Sequence, residues 1–451
     1  MTWLVVKGRV GGRTGTLLGT VGVPGDKSIS HRALMLGALA EGTGRVEGFL
    51  PSGDCLATLE CLRQLGIEIE HAGAGAATTL IVRGRGMRGL RPPKGPLDCR
   101  RSGTTMRLLA GLLAGQPFDT VLAGAPQLLR RPMRRITDPL RRMGARIRDT
   151  EGHGPLYIDG TERLWGGEHN LEVASAQVKS ALLLAGLYAE EPVIVRLPGP
   201  ARDHTERMLA AQIEPRPGAT SSLTFDATSA RLDPTSIGRL RAIDRTVPGD
   251  ISSAAFPLVA ALLLPDSEVT LTGIGVNSTR TGLLDVLSAM GAEISVDQVR
   301  DQGGEPVADL TVRYSVLSGT QVAGEVVVRM IDEFPILAVL ATQARGTTVV
   351  RDAEELRVKE TDRILNVVTE LRKLGAIIEP RPDGFIVQGP TQLQGAEVDS
   401  QGDHRLAMAL GIAGLLAEGR TTVLGAECIP DSYPGFVETM RVLGAGMSHG
   451  I

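Results

Sequence analysis

Aromatic side chains are scarce, at 3% of 451 residues, which leaves little surface for stacking bases and argues against a nucleic-acid partner. Cysteine is almost as rare. Cys55, Cys61, Cys99 and Cys428 form no CxxC pair and have no histidine at metal-ligand spacing, so neither a zinc site nor a disulfide framework is expected, and the thiols suit a reducing compartment. An excess of one charge is also missing. With 48 Lys and Arg against 51 Asp and Glu, the net charge is -3, so any anion chemistry must come from local clusters of cations. Even the longest apolar stretch, around residues 256–264, is too short to span a bilayer. The N-terminal Met1-Thr2-Trp3-Leu4-Val5-Val6-Lys7-Gly8 lacks the charged region, apolar stretch and cleavage site of a secretory signal. The expectation is a cytoplasmic protein with no membrane partner.

What is present is a repeat. A chain of this length exceeds one hydrophobic core, which favours two or three domains. One kind of helix recurs, with a Ser or Asp start, a nearby polar or basic residue and then an Ala/Leu-rich run. The starts are Ser28, Ser102, Ser175, Asp250, Asp332 and Asp403, roughly 70 to 80 residues apart, too long for a solenoid but suited to a compact βαβ-type unit. A second, amphipathic helix follows most of them and closes in Gly before a strand-like run, at residues 59–66, 136–144, 283–291, 364–375 and 437–444. The copy near residues 208–213 lacks its Gly. Six units imply an α/β protein of two domains with three units each. The first helices are apolar nearly all round and so should be buried, with their polar starts facing something.

Taken singly, such starts read as N-caps that satisfy orphan backbone N–H groups. Their neighbours suggest more. Pro24-Gly25-Asp26-Lys27-Ser28 leads into a helix carrying Arg32 one turn on, a cationic helix N-terminus suited to phosphate or carboxylate. A P-loop is excluded because Asp26 stands where that motif needs Gly. Gly84-Arg85-Gly86-Met87-Arg88-Gly89 matches GxGxxG but runs into Leu90-Arg91-Pro92-Pro93 rather than a helix, so no dinucleotide site is expected. Arg130-Arg131-Pro132-Met133-Arg134-Arg135 should open another helix with Pro132 at its first position, and four cations there call for an anion. Arg357-Val358-Lys359-Glu360-Thr361-Asp362-Arg363 puts Lys359 and Arg363 one turn apart with Glu360 between them. That pattern suits either an ion-pair network or acid/base chemistry.

Together these segments resemble the EPSP synthase family. The resemblance runs in order from about Gly22 to Gly444 through Gly25-Asp26-Lys27-Ser28, Ser102 to Arg107, Arg131-Pro132-Met133-Arg134, Ser175 to Lys179, Arg202 to Glu206, Val247 to Ser253, Asn277 to Arg280, Asp332 to Pro335, Lys359 to Arg363 and Asp403-His404-Arg405. The segments at Arg202 and Asn277 resemble its class II bacterial branch, which includes many glyphosate-tolerant members. The resemblance implies an inverse α/β barrel of two domains, each built from three βαβαββ units, with the active site in the cleft between them. Residues 24–246 would form the N-terminal domain, and residues 1–23 with 247–451 the C-terminal one. It further implies transfer of the enolpyruvyl group of phosphoenolpyruvate to the 5-hydroxyl of shikimate 3-phosphate, with no metal or cofactor, in a monomer, and with glyphosate as an inhibitor.

Carried over by motif, Lys27, Gly103, Arg131, Gln177, Arg363 and Arg405 would bind phosphoenolpyruvate. Lys27, Ser28, Arg32, Ser175, Ala176, Gln177, Arg202, Asp332 and Lys359 would bind shikimate 3-phosphate. Asp332 would take the 5-hydroxyl proton, and Glu360 with Lys27 would handle the proton at C3. Two departures stand out: Arg100-Arg101 where the family usually has a small neutral pair, and Asp431 where some members have Lys. Two rivals remain. A UDP-N-acetylglucosamine enolpyruvyl transferase would share the fold, but it generally carries a reactive Cys in a segment matching residues 103–131, which contains none here. A non-catalytic anion-binding protein on the same fold would need to have lost Lys27, Asp332 or Glu360, and all three are present.

Overall fold

The structure, a computed structural model, describes residues 3–11, 15–72, 79–219 and 221–450. Met1 and Thr2 of the N-terminal stretch lie outside the described residues. The chain forms two compact units, one of Met1–Pro24, Pro248–Asp301 and Pro306–Ile451, the other of Gly25–Val247 with Gln302–Glu305. They are called here the outer and the inner unit from their order along the chain.

Twelve helices carry the repeat. In the inner unit they are α1 (Lys27–Leu39), α2 (Gly53–Gln64), α3 (Gly103–Leu113), α4 (Arg134–Arg142), α5 (Ala176–Gly186) and α6 (His204–Gln212). In the outer unit they are α7 (Ile251–Leu263), α8 (Gly282–Ala289), α9 (Phe334–Ala341), α10 (Arg363–Lys373), α11 (His404–Leu416) and α12 (Phe436–Val442). Odd-numbered helices are the apolar first helices. In α7, α9 and α11 every residue is buried, as their long apolar runs require, each large aliphatic contributing about 1.5–3 kcal/mol on burial.

Six four-stranded sheets accompany these helices, three per unit, and share one strand order. In the second repeat, Leu97–Asp98 pairs parallel with Thr120–Ala123, which pairs antiparallel with His153–Asp159, which pairs antiparallel with Arg146–Thr150. Strands distant in sequence complete three of the six. Arg245–Thr246 supplies the parallel edge of the first sheet, Leu18–Gly22 that of the fourth, and Trp3–Lys7 lies between Arg420–Leu424 and Met447–Gly450 in the sixth. Buried first helices, half-exposed second helices and four-stranded sheets, three repeats per unit, agree with the inverse α/β barrel that the resemblance implied.

Helix ends follow local chemistry, with corrections. The even helices of five repeats end in Gly66, Gly144, Gly291, Gly375 and Gly444, all at positive φ, while α6 ends at Ile213 without one. Ser102, Ser175, Asp250 and Asp403 are the N-caps expected of them. Ser28 is not: Asp26 caps α1, accepting from the Ile29 amide at 2.9 Å, and Ser28 lies inside the first turn. Asp332 is not a cap either, because α9 opens after Glu333 with Pro335 in its first turn. Pro132 precedes α4, whose N-cap is Met133. Lys359 ends the short turn Glu354–Val358, whereas Arg363 begins α10 behind the cap Asp362, so the two do not share a helix face. The GxGxxG segment runs from the strand Thr79–Arg85 into irregular chain. Among the described residues no helix is long and apolar enough to cross a membrane.

Candidate active site

In the inner unit, side chains tie the starts of α1, α3 and α5 together. Lys27, at the first turn of α1, pairs with Asp54 at 3.3 Å. His31, one turn on, meets Thr58 at 2.6 Å, and Thr58 meets Thr105 at 2.7 Å, linking α1, α2 and α3 through neutral groups. Arg32 donates from Nε to Thr205 Oγ1 at 2.6 Å, from Nη1 to the Ser28 carbonyl at 2.9 Å and from Nη2 to Ser180 Oγ at 2.8 Å. Burial pulls the Arg32 guanidinium down to about 10, with Glu206 pushing the other way and Arg202 adding to the decrease. Arg202 itself is half-buried just before α6. The same positive field reaches His31, which burial first, then Lys27 and Arg32, pull down to about 3.

The second part of this cluster lies between α3 and α5. Gln177 accepts from Arg107 Nη1 at 2.6 Å and donates to Thr104 Oγ1 at 3.0 Å. Gly103 explains itself sterically: a Cβ there would stand 3.2 Å from Arg131 Nη1 and 3.4 Å from Arg107 Nη1, so any side chain would press on two guanidinium groups. Ser175 caps α5, and the Ala176 amide lies in its first turn, where N–H groups have no intrahelical acceptor. Arg107 was missed as a site residue although it sits four residues after Gly103 on one helix face, a spacing that could have exposed it. Asp54, Ser180 and Thr205 carried no such signal.

The outer unit draws together α7, α9, α10 and α11 around Arg363. This side chain is 2% exposed, and Asp403 grips it at 2.7 Å on Nε and 3.3 Å on Nη2. Glu360 accepts from Nη2 at 2.7 Å and Asp332 from Nη1 at 3.4 Å. Burial opposes the charge on Arg363, but Asp403 and Glu360 outweigh it and hold the guanidinium above its ordinary range. Asp403 is held below the usual carboxylate range, because Arg363 overcomes the effect of burial. It also caps α11, accepting from the Arg405 and Leu406 amides.

Arg405 reaches Asp332 at 3.8 Å and Glu333 at 3.9 Å. Glu333 was not singled out in the sequence, yet it is buried and accepts from Ser252, which in turn accepts from Arg280 at 2.7 Å. Burial, then Asp332, push Glu333 up. Lys359 is half-buried; burial pulls its ammonium down while Asp332 and Glu355 push back. The structure therefore brings Asp332, Glu360, Arg363 and Arg405 into one cluster, with Lys359 close enough to feel Asp332. Of the two departures, Arg100 and Arg101 are exposed, Arg100 at φ 50°, and Asp431 is half-buried at the end of the turn Ala426–Asp431. Among the described residues no group of three His, Cys, Asp or Glu is arranged to hold a metal ion.

Two clusters of charged and polar side chains gathered near helix starts, in a chain of six repeats, call for comparison with known proteins. The family model for EPSP synthase (3-phosphoshikimate 1-carboxyvinyltransferase) matches residues 13–440. The chain belongs to the EPSP synthase family. It is 52% identical over 425 residues to the 3-phosphoshikimate 1-carboxyvinyltransferase of Herpetosiphon aurantiacus, covering 93% of this chain and 95% of that one. The enzyme of that name from Geobacillus kaustophilus is 50% identical over 435 residues, covering 95% and 98%. The solved structure of EPSP synthase from Acinetobacter baumannii superposes with a TM-score of 0.88 at 40% identity, covering both chains completely. The EPSP synthase fold thus accounts for the whole chain, including the strands at 3–7 and 18–22.

Proposed function

We propose that this chain transfers the enolpyruvyl group of phosphoenolpyruvate to the 5-hydroxyl of shikimate 3-phosphate, releasing phosphate. Family membership supports the reaction, and the observation that carries the residue assignment is the Arg363 cluster. One guanidinium holds Asp332 and Glu360 on its two terminal nitrogens, so two carboxylates suited to proton transfer stand side by side. In this reading Asp332 takes the 5-hydroxyl proton as that oxygen attacks C2. Glu360, with Lys27, delivers a proton to C3 and later removes one, and loss of that proton expels phosphate by C–O cleavage from the tetrahedral adduct.

Both substrates carry a phosphate and a carboxylate, so bringing them together requires cations to offset their mutual repulsion. Lys27, Ser28, Arg32, Ser175, Ala176, Gln177, Arg202 and Lys359 are assigned to shikimate 3-phosphate together with Asp332. Lys27, Gly103, Arg131, Gln177, Arg363 and Arg405 are assigned to phosphoenolpyruvate. The contact of Gly103 with Arg131 supports the second set, and the neutral cradle of Arg32 supports the first. Asp403 and Arg107 join as groups that hold Arg363 and Gln177. The reading also takes the enzyme to be a cytoplasmic monomer that needs no cofactor, and its mass in solution checks the monomer. Phosphate release is the test: it should require phosphoenolpyruvate and shikimate 3-phosphate together. Release with UDP-N-acetylglucosamine in place of shikimate 3-phosphate would overturn the assignment.

A further inference from the structure

Arg32 is a buried cation with an unusual set of partners. Its Nε and Nη2 form the fork edge that carboxylates ordinarily grip with two parallel bonds. Here two hydroxyls occupy that edge, Thr205 Oγ1 at 2.6 Å and Ser180 Oγ at 2.8 Å, and they are bonded to each other at 2.7 Å. The Nη1 partner is a backbone carbonyl. Among the described residues no carboxylate lies within ion-pair distance of Arg32. The candidate nearest in sequence to Thr205 is Glu206, and it is engaged elsewhere: Lys179 meets it at 2.5 Å, with both side chains fully buried. Glu206, Asp26 and Glu305 act on Arg32 only from a distance, and among the described residues no carboxylate is bonded to its guanidinium.

A buried charge with no carboxylate bonded to it is costly, so its retention points to a ligand that supplies a direct counter-charge. The shape of the cradle adds a second point. A carboxylate on the fork edge would orient Arg32 but would also quench its field, whereas hydroxyls orient it and leave the field intact. We propose that Thr205 and Ser180 are positioning residues for shikimate 3-phosphate, aiming the Arg32 guanidinium while leaving its charge for an anionic group of that substrate. This rests on the proposed assignment of Arg32 to shikimate 3-phosphate, and it adds two residues that touch Arg32 and not the ligand.

The test is steady-state kinetics on the full chain for Thr205→Val, Thr205→Ser, Ser180→Ala and Arg32→Ala, reading KM separately for each substrate. Loss of one hydrogen bond to a charged group corresponds to about a 10- to 100-fold change. Thr205→Val is therefore expected to raise the KM for shikimate 3-phosphate by that factor while changing the KM for phosphoenolpyruvate by less than about threefold. Thr205→Ser, which keeps the hydroxyl, should recover most of the loss. If Thr205→Val does not fold, Ser180→Ala carries the same expectation. An unchanged KM for shikimate 3-phosphate in Thr205→Val and Ser180→Ala, or an equal rise for both substrates, would overturn the positioning role. Arg32→Ala separates the two levels. If it raises the KM for shikimate 3-phosphate and the hydroxyl variants do not, only the positioning role fails; if it too has no effect, the assignment of Arg32 fails and takes the inference with it.

Discussion

Arg32 and Arg363 are both buried guanidinium groups at the start of a helical cluster, yet their surroundings are opposite. Arg32 has two hydroxyls and a carbonyl; Arg363 has Asp403, Glu360 and Asp332. A cation with neutral partners can add an anion directly. One surrounded by carboxylates instead fixes those carboxylates in place and exposes little net positive charge. Under the proposed function, Arg32 would therefore serve chiefly to attract a substrate, and the carboxylates around Arg363 chiefly to move protons.

Removing the groups assigned to proton transfer should have the largest effect. Asp332→Ala and Glu360→Ala are each expected to lower kcat by about 100- to 10,000-fold, the usual range for an acid/base group, while titration calorimetry still detects shikimate 3-phosphate. Loss of binding equal to the loss of turnover would blur the contrast between the units.

Stability should separate the two arginines next. Asp403→Ala leaves Arg363 buried with its tightest partner gone and should cost about 3–5 kcal/mol in denaturant unfolding, as breaking one side of a buried pair does. Arg32→Met strands no carboxylate, and Thr205 and Ser180 still have each other. The unliganded variant should therefore melt at or above the wild-type temperature. Strong destabilisation by Arg32→Met would show that its charge is compensated after all.

Burial of His31, reinforced by Lys27 and Arg32, also has a pH signature. With His31 pulled down to about 3 in the folded state, the unfolded chain binds that proton below about pH 6.5 and the folded chain does not. Stability should then fall as pH drops from 6.5 toward 3, by up to about 1.4 kcal/mol per unit from this group. Asp403, held low by Arg363, adds a loss in the same direction below the ordinary carboxylate range. Unfolding midpoints of His31→Asn between pH 7 and 5 should show a flatter slope than wild type; the same slope would assign it to other groups.

The smallest effect expected is at Arg101. Glyphosate is longer than phosphoenolpyruvate and carries a cationic amine, so a neighbouring Arg should disfavour it by repulsion. Arg101 is exposed, and solvent screening limits the effect to a few-fold. Inhibition assays at equal substrate saturation should show Arg101→Asn lowering the glyphosate inhibition constant relative to the KM for phosphoenolpyruvate. An unchanged ratio would assign any tolerance to other residues.

The repeat was legible in the sequence because its signals are local: a capping residue, an apolar run and a terminal Gly recur within some forty residues. Where two capping residues lie close together, as Asp26 and Ser28 do, composition cannot choose, and the backbone placed the cap on Asp26. The partners of Arg32 were not legible, since Ser180 and Thr205 lie 148 and 173 residues away and look like ordinary helix residues. Glu333 stayed hidden behind Asp332 for the same reason, since only packing shows that Ser252 and Arg405 face it. Gln302–Glu305, which joins the inner unit and pairs Glu305 with His204 at 2.8 Å, has no marker in its composition.

The most direct test of the division of labour is a side-by-side kinetic comparison of Arg32→Ala and Asp332→Ala with shikimate 3-phosphate as the varied substrate. Arg32→Ala should lose kcat/KM chiefly through a higher KM, and Asp332→Ala chiefly through a lower kcat. If both variants fail in the same parameter, the two clusters do not divide attraction and proton transfer between them.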